Sequence, residues 1–102
     1  MASEVEQTLE RMKQHKGVEA VIIVNKDGVP IRPSKGMNDQ TSKQYAAHIT
    51  ELTQKARAVI RDLDPNNDLT FLRIRSQKHE IMVAPDRDFT LIVIQNDNAS
   101  EE

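Results

Sequence analysis

The residues best suited to chemistry lie in an acidic segment of the second half of the chain. Its alternating members are Asp62, Asp64, Asn66 and Asp68. A calcium loop of the EF-hand type needs a glycine at its sixth position and a bidentate glutamate at its twelfth. Counted from Asp62, these positions hold Asn67 and Arg73, and counting from Asp64 fails in the same way. The segment therefore predicts a helix end followed by a polar turn, not a metal site.

Other catalytic and cofactor signatures are also missing from the sequence. The 3 histidines (His15, His48 and His79) form no metal-binding pair, and the 3 glycines fit neither a P-loop nor a dinucleotide fingerprint. The absence of cysteine excludes disulfides, thiolate metal sites and a cysteine nucleophile. No serine lies in a nucleophile elbow, and no nucleophile has a matching base. We therefore expect a protein that is not an enzyme and uses no cofactor.

Composition narrows the class of protein further. The 102 residues suffice for one domain, and a net charge of -2 argues against a general binder of nucleic acid or anionic membranes. Aromatic residues make up only 3%, too few for a stacking platform for single-stranded nucleic acid. No apolar run approaches the ~18 residues of a membrane span, and no signal-peptide core is present. We expect a soluble intracellular domain over 1–102 with a polar tail from Asn96.

Hydrophobic spacing predicts the order helix, strand, strand, helix, strand, strand, strand. The predicted helices cover 3–16 and 41–63, and the predicted strands cover 18–24, 29–32, 69–75, 80–84 and 89–95. Asp27-Gly28 marks a hairpin turn, and Thr41 with Gln44 has the spacing of a capping box. The long helix ends at Asp64-Pro65, because a residue before proline disfavours the helical conformation.

The long helix carries an apolar arc of about 100°, at about 100° of rotation per residue. The arc consists of Tyr45, Ile49, Leu52, Ala56, Val59, Ile60 and Leu63. The predicted first helix has a narrower stripe, made of Val5, Leu9 and Met12. That stripe either covers one face of the sheet or forms part of a groove for a partner helix.

Prolines and apolar runs predict where the strands lie in the sheet. The runs Ala20–Val24 and Leu91–Ile94 do not alternate with polar residues, which is typical of central strands buried on both faces. Pro30 and Pro33 lack N–H donors and place their strand at one edge of the sheet.

The second edge belongs to segment 69–75 or to segment 80–84. Segment 69–75 is apolar and contains no proline, so as an edge it invites pairing with a strand of another molecule. This pattern favours a dimer formed by edge pairing. The alternative is that Arg73 and Arg75 carry enough charge to protect the edge.

Several blocks of the sequence resemble the roadblock-type dynein light chains. These blocks are Val18–Arg32, Asp62–Pro65, Asp68–Arg75, Lys78–Pro85 and Phe89–Gln95. The resemblance extends from about Val5 to Gln95, and segment 34–40 and the tail match least well. It implies the α+β roadblock fold, in which helices flank a five-stranded antiparallel sheet.

The resemblance also implies a function. Family members form homodimers through the second helix and the third strand, which gives one continuous sheet. The light-chain dimer is a non-catalytic subunit of the dynein motor that binds the intermediate chain, supports assembly and links cargo. Its other partners would be further light chains or cargo adaptors of the complex, in the cytoplasm on microtubules or in a cilium or flagellum. The alternative function is a roadblock platform that regulates a small GTPase.

Pattern and resemblance together predict two contact surfaces. The predicted dimer contact consists of Ile49, Thr53, Ala56 and Ile60 on the long helix and Leu69, Phe71 and Arg73 on the third strand. The predicted surface for the partner protein consists of Val5, Leu9 and Met12.

Overall fold

A computed structural model of the protein describes residues 17–31 and 37–96. These ranges contain strand β1 (Val18–Asn25), helix α1 (Asp39–Leu63) and strands β2 (Leu72–Arg75), β3 (His79–Pro85) and β4 (Phe89–Asn96). The strands form one antiparallel sheet in the order β1-β4-β3-β2. No helix within these ranges is long and apolar enough to cross a membrane.

The two apolar runs form neighbouring strands that are buried on both faces, as the absence of alternation predicts. On one face Ile22, Val24 and Ile92 form a cluster with Ala46 and Ile49 of α1. The opposite face carries a second buried cluster, made of Val21, Ile23, Leu91 and Val93. Burying one such side chain completely stabilises a fold by about 1.5–3 kcal/mol, so this strand pair forms the core of the sheet.

The prediction of five strands is wrong for the described residues, in which the sheet has four. The segment predicted as the second strand does not form a strand in the described residues. Its Pro30 forms an isolated bridge with Val24. Two backbone hydrogen bonds flank the bridge, from Asn25 to Val29 and from Ile31 to Ile23. Because Pro30 has no N–H, the pairing cannot continue as a regular ladder.

The turn before this segment forms where Asp27-Gly28 predicts it. The Asn25 side-chain oxygen accepts hydrogen bonds from the backbone N–H groups of Asp27 (2.9 Å) and Val29 (3.0 Å). Gly28 has a φ of 85°, in the left-handed region that favours glycine. The chain therefore reverses here at no steric cost.

The N-cap of helix α1 lies three residues before the predicted cap, and the helix ends at the predicted residue. Asn38 is the N-cap, and its Oδ1 accepts a hydrogen bond of 2.8 Å from the backbone N–H of Thr41. Thr41 is therefore the third residue of the helix and not its cap. The difference arises because asparagine also satisfies the first unpaired N–H groups of a helix. The predicted helix over 3–16 lies outside the described residues.

Candidate functional site

The open edge of the sheet is the most distinctive surface of the described chain. Strand β2 is the last strand of the sheet and, among the described strands, pairs only with β3. It is shorter than predicted, because Leu69, Thr70 and Phe71 are not part of the strand. Phe71 has 50% of its surface exposed, an unusual state for a large aromatic side chain. An apolar segment thus precedes an edge strand, and no strand within 17–31 or 37–96 lies on its outer side.

Two arginines of α1 hold the segment that leads into this edge. Arg57 donates two hydrogen bonds to the Asp68 carboxylate, Nε to Oδ1 at 3.1 Å and Nη2 to Oδ2 at 2.9 Å. Arg61 donates a third bond to Oδ2 at 3.0 Å. The pKa of Asp68 is lowered to about 2. The hydrogen bonds from Arg57 contribute most to this shift, followed by the backbone N–H of Leu69 and then Arg61. The acidic segment therefore ties the start of the edge to the helix.

Arg73 lies within β2 and forms an ion pair with Glu80 of β3. Its Nε contacts Glu80 Oε2, and its side chain is 61% exposed whereas that of Glu80 is 6% exposed. The hydrogen bond from Arg73 holds the pKa of the Glu80 carboxyl below its usual range. Arg73 thus partly neutralises a buried acid beside the open edge, which is a structural role that its sequence position did not reveal.

The four helix residues predicted at the dimer contact differ in burial. Ile49 belongs to the core cluster against the sheet, and Thr53 is only 4% exposed. Ala56 and Ile60 are half-buried, farther along the same side of α1. Of the strand residues, Leu69 is half-buried and Phe71 is exposed. The structure therefore places part of the predicted set inside the protomer and part on its surface.

Three large apolar residues of α1 are exposed and were not among the predicted contact residues. Leu52, Val59 and Leu63 have 44%, 56% and 79% of their surface exposed. Their spacing places them on one flank of the helix, which we call the apolar flank. It lies about a quarter turn from the buried line of Ser42, Ala46, Ile49 and Thr53. The signal was present in the sequence, since all three belong to the apolar arc.

The described residues offer no metal site. No group of three His, Cys, Asp or Glu side chains converges within 17–31 and 37–96. His79 Nε2 lies 3.0 Å from Glu19 Oε2, a contact that joins the beginnings of β3 and β1. The predicted partner-contact residues Val5, Leu9 and Met12 lie outside the described residues.

Solved structures share this fold at low sequence identity. A Roadblock/LC7 domain from Streptomyces avermitilis aligns with a TM-score of 0.75 and 13% identity, over 83% of this chain and 71% of that chain. The gliding protein MglB from Thermus thermophilus aligns with a TM-score of 0.76 and 10% identity, over 91% of this chain and 71% of that chain. An MglB described with a tetrameric arrangement aligns with a TM-score of 0.77 and 10% identity, over 94% of this chain and 73% of that chain.

The sequence itself matches a family model. The model of the Roadblock/LC7 domain covers residues 4–96, nearly the whole chain. The antiparallel sheet, the helix on one of its faces and the solved structures of similar fold agree with this match. The chain belongs to the Roadblock/LC7 domain family.

Proposed function

We propose that this protein is a non-catalytic homodimer that acts as a binding platform for a protein partner. The observation that carries the proposal is the open edge of the sheet, where no strand of the described residues pairs with the outer side of β2 and Phe71 is half exposed. An apolar edge of this kind is stable in water when a second strand covers it. A second copy of the same chain supplies such a strand.

Pairing of two β2 strands about a two-fold axis explains the exposed residues. Leu72 and Ile74 already pack against the core cluster on the helix side. An antiparallel partner strand would extend the sheet across both protomers and cover Leu69 and Phe71. The apolar flank of α1 (Leu52, Val59 and Leu63) supplies a second surface that association would bury. A two-fold dimer also presents each remaining surface twice, which suits a platform.

A small GTPase is the partner that the comparisons with solved structures favour. The similar structures are a bacterial roadblock domain and MglB proteins, and those named above include no dynein subunit. The resemblance to roadblock domains already includes platforms for small GTPases as its alternative function. In this proposal the dimer binds the GTPase and alters its nucleotide exchange or hydrolysis without contributing a cofactor.

The dynein intermediate chain is the second candidate partner, and residue-level resemblance supports it. The blocks that resemble dynein light chains include Asp62–Pro65 and Asp68–Arg75, which form the end of α1 and the open edge. In this proposal the dimer binds a segment of the intermediate chain that folds on binding. The protein would then act on microtubules, in the cytoplasm or in a cilium.

A pull-down from native extract of the source cells distinguishes the two partners. The wild-type protein is the bait, the Phe71→Asp variant is the control with its edge disrupted, and mass spectrometry identifies the retained chains. Dynein intermediate and heavy chains on the wild-type bait support the motor subunit. A small GTPase without dynein supports the regulatory platform.

The purified pair then tests the function itself. If a GTPase is retained, the dimer should change its rate of nucleotide exchange or hydrolysis in a reconstituted assay. If the intermediate chain is retained, its purified segment should bind the dimer with a stoichiometry of one segment per protomer. A wild-type protein that sediments as a monomer and retains neither partner would refute the platform.

A further inference from the structure

We propose that a cleft at one end of the sheet binds a small oxyanion of the phosphate class. This inference is independent of the proposed function. The cleft has a volume of about 90 Å³ and lies between α1, the turn after β1 and the turn between β3 and β4. Its volume exceeds the ~10–15 Å³ that a single water requires, so a tetrahedral oxyanion can enter.

Two threonines that line the cleft have buried hydroxyl groups without hydrogen-bond partners in the described part of the chain. Thr50 and Thr53 lie one helical turn apart on α1 and both line the cleft. The Oγ1 atoms of both residues are buried, and neither has a partner in the described part of the chain. Thr53 as a whole is only 4% exposed. A buried hydroxyl without a partner destabilises a fold. Rotation of either side chain about χ1 would turn its hydroxyl toward the cleft, where a bound oxyanion would supply the missing acceptor.

The charges around the cleft favour an anion. Lys26, Arg57 and Arg87 line it, and Asp86 is the one acid among the lining residues. Arg57 is already paired with Asp68, and Asp86 Oδ1 accepts a hydrogen bond of 2.7 Å from the backbone N–H of Arg87. After the negative charge of Asp86 is subtracted from the two positive charges of Lys26 and Arg87, one net positive charge remains for a ligand. Hydroxyl donors beside cationic groups are typical partners of phosphate oxygens.

The cleft remains accessible in the proposed dimer. Its α1 residues, Thr50, Gln54 and Arg57 among them, lie on nearly the opposite side of the helix from the apolar flank. The turn at Gly28 covers Thr50, since a Cβ built on Gly28 would lie 3.5 Å from the Thr50 methyl carbon. The hairpin turn thus closes one wall of the cleft and leaves the α1–Arg87 side for entry.

Titration of the full chain with inorganic phosphate, followed by NMR, tests the proposal. Ionic strength is held constant with sodium chloride in a phosphate-free buffer. We expect saturable shifts of the Thr50, Thr53 and Arg87 signals. Thr53→Val, which keeps the shape and removes the hydroxyl, should weaken binding roughly tenfold, whereas Thr53→Ser should keep it.

Two charge variants distinguish specific binding in the cleft from nonspecific electrostatic attraction of phosphate to the protein. Arg87→Gln should also weaken phosphate binding roughly tenfold. Lys78→Gln removes the same charge in the turn between β2 and β3, at the other end of the sheet, and should change nothing. Non-saturable shifts, unchanged binding by Thr53→Val, or equal losses in the two charge variants would overturn the proposal and leave a cleft that holds water only.

A second probe identifies the source of the phosphoryl group. O-phosphoserine in a short peptide is titrated under the same conditions as inorganic phosphate. Tighter binding of the peptide supports a phosphorylated side chain as the ligand, and tighter binding of inorganic phosphate supports a free oxyanion. Failure of both probes to bind overturns the proposal.

Discussion

The two edges of the sheet differ in what lies beside them. On the β1 side, the segment Val29–Ile31 forms two backbone hydrogen bonds and a bridge at Pro30. Proline cannot donate to a further strand, so this edge is closed to growth. On the β2 side, no described strand follows, and the segment that leads into β2 contains the exposed Phe71.

This difference would direct association in the proposed dimer to one side of the domain. An edge protected by proline resists pairing, whereas the edge without proline leaves its backbone free to pair. Exposed apolar residues occur at both edges, since Val29 is 52% exposed and Phe71 is 50% exposed. Exposure alone therefore does not distinguish the two edges, and in the proposed dimer the availability of the backbone decides which edge pairs.

The largest expected effect is dissociation of the proposed dimer by the substitution Phe71→Asp. Two-fold pairing of β2 would bring the introduced carboxylates close to the axis and remove two buried aromatic rings. Phe71 is already half buried in the protomer, so further burial of each ring contributes about half of the ~1.5–3 kcal/mol of complete burial. Loss of both rings should raise the dimer dissociation constant at least roughly tenfold, and repulsion between the two carboxylates should raise it further. Sedimentation velocity should show a monomer.

Val29→Asp is the matched control at the closed edge. Its side chain is as exposed as that of Phe71, and the variant should sediment as a wild-type dimer. Circular dichroism verifies that both variants are folded. A folded Phe71→Asp dimer, or equal dissociation of the two variants, would show that the edges do not differ as proposed.

A smaller effect is expected from Gly28→Ala, which tests the turn of the closed edge. The added methyl has room, but the φ of 85° is a strained conformation for alanine. We expect a loss of about 1–2 kcal/mol in the free energy of unfolding, measured by urea denaturation at fixed protein concentration. Asp27→Ala, next in the same turn and exposed, should cost less. The dimer should persist in both variants, because the turn lies at the other edge.

The smallest effect concerns the acid dependence of the open edge, through Asp68→Asn. The pKa of Asp68 is lowered to about 2, so its ion pairs stabilise the fold fully above the unfolded value of 3.8. That stability is lost as the pH falls from about 4 to about 2. Urea denaturation at a series of pH values should show a flatter profile over this window for the variant.

Asp62→Asn is the control, because it removes an exposed acid of α1. The dependence of its unfolding free energy on pH should match that of the wild-type protein. The lowered pKa of Glu80, due mainly to Arg73, leaves some acid sensitivity in all three proteins. Identical profiles for Asp68→Asn and wild type would show that the arginines of α1 do not hold the edge segment through this carboxylate.

Much of the fold was predictable because the signals that mark it are local. A run of β-branched residues without alternation identifies a strand with two buried faces, and Asp64-Pro65 ends a helix wherever it occurs. Proline at position 30 marks an edge for the same reason, since the missing N–H is a property of the residue itself. Strand β2 lies at the opposite edge of the sheet, which is one of the two arrangements that the sequence predicts.

The candidate site was less predictable because burial depends on which part of a helix faces the sheet. Ile49 and Leu52 belong to the same apolar arc, yet Ile49 is 6% exposed and Leu52 is 44% exposed. The arc is wider than the line of contact with the sheet, and a sequence does not reveal where that line falls. For this reason the predicted dimer contact did not include the apolar flank.

The sequence by itself determined the two-faced core strands, the turn at Gly28, the end of α1 and the absence of recognisable catalytic motifs. These features depend on the allowed backbone dihedral angles and on hydrophobic periodicity, which both act over a few residues. Only the tertiary structure decided that the second strand shrinks to a bridge and that Thr53 lines a cleft. It also decided that Arg73 neutralises a buried Glu80. Those outcomes depend on contacts between residues far apart in the chain, and packing of the whole domain sets such contacts.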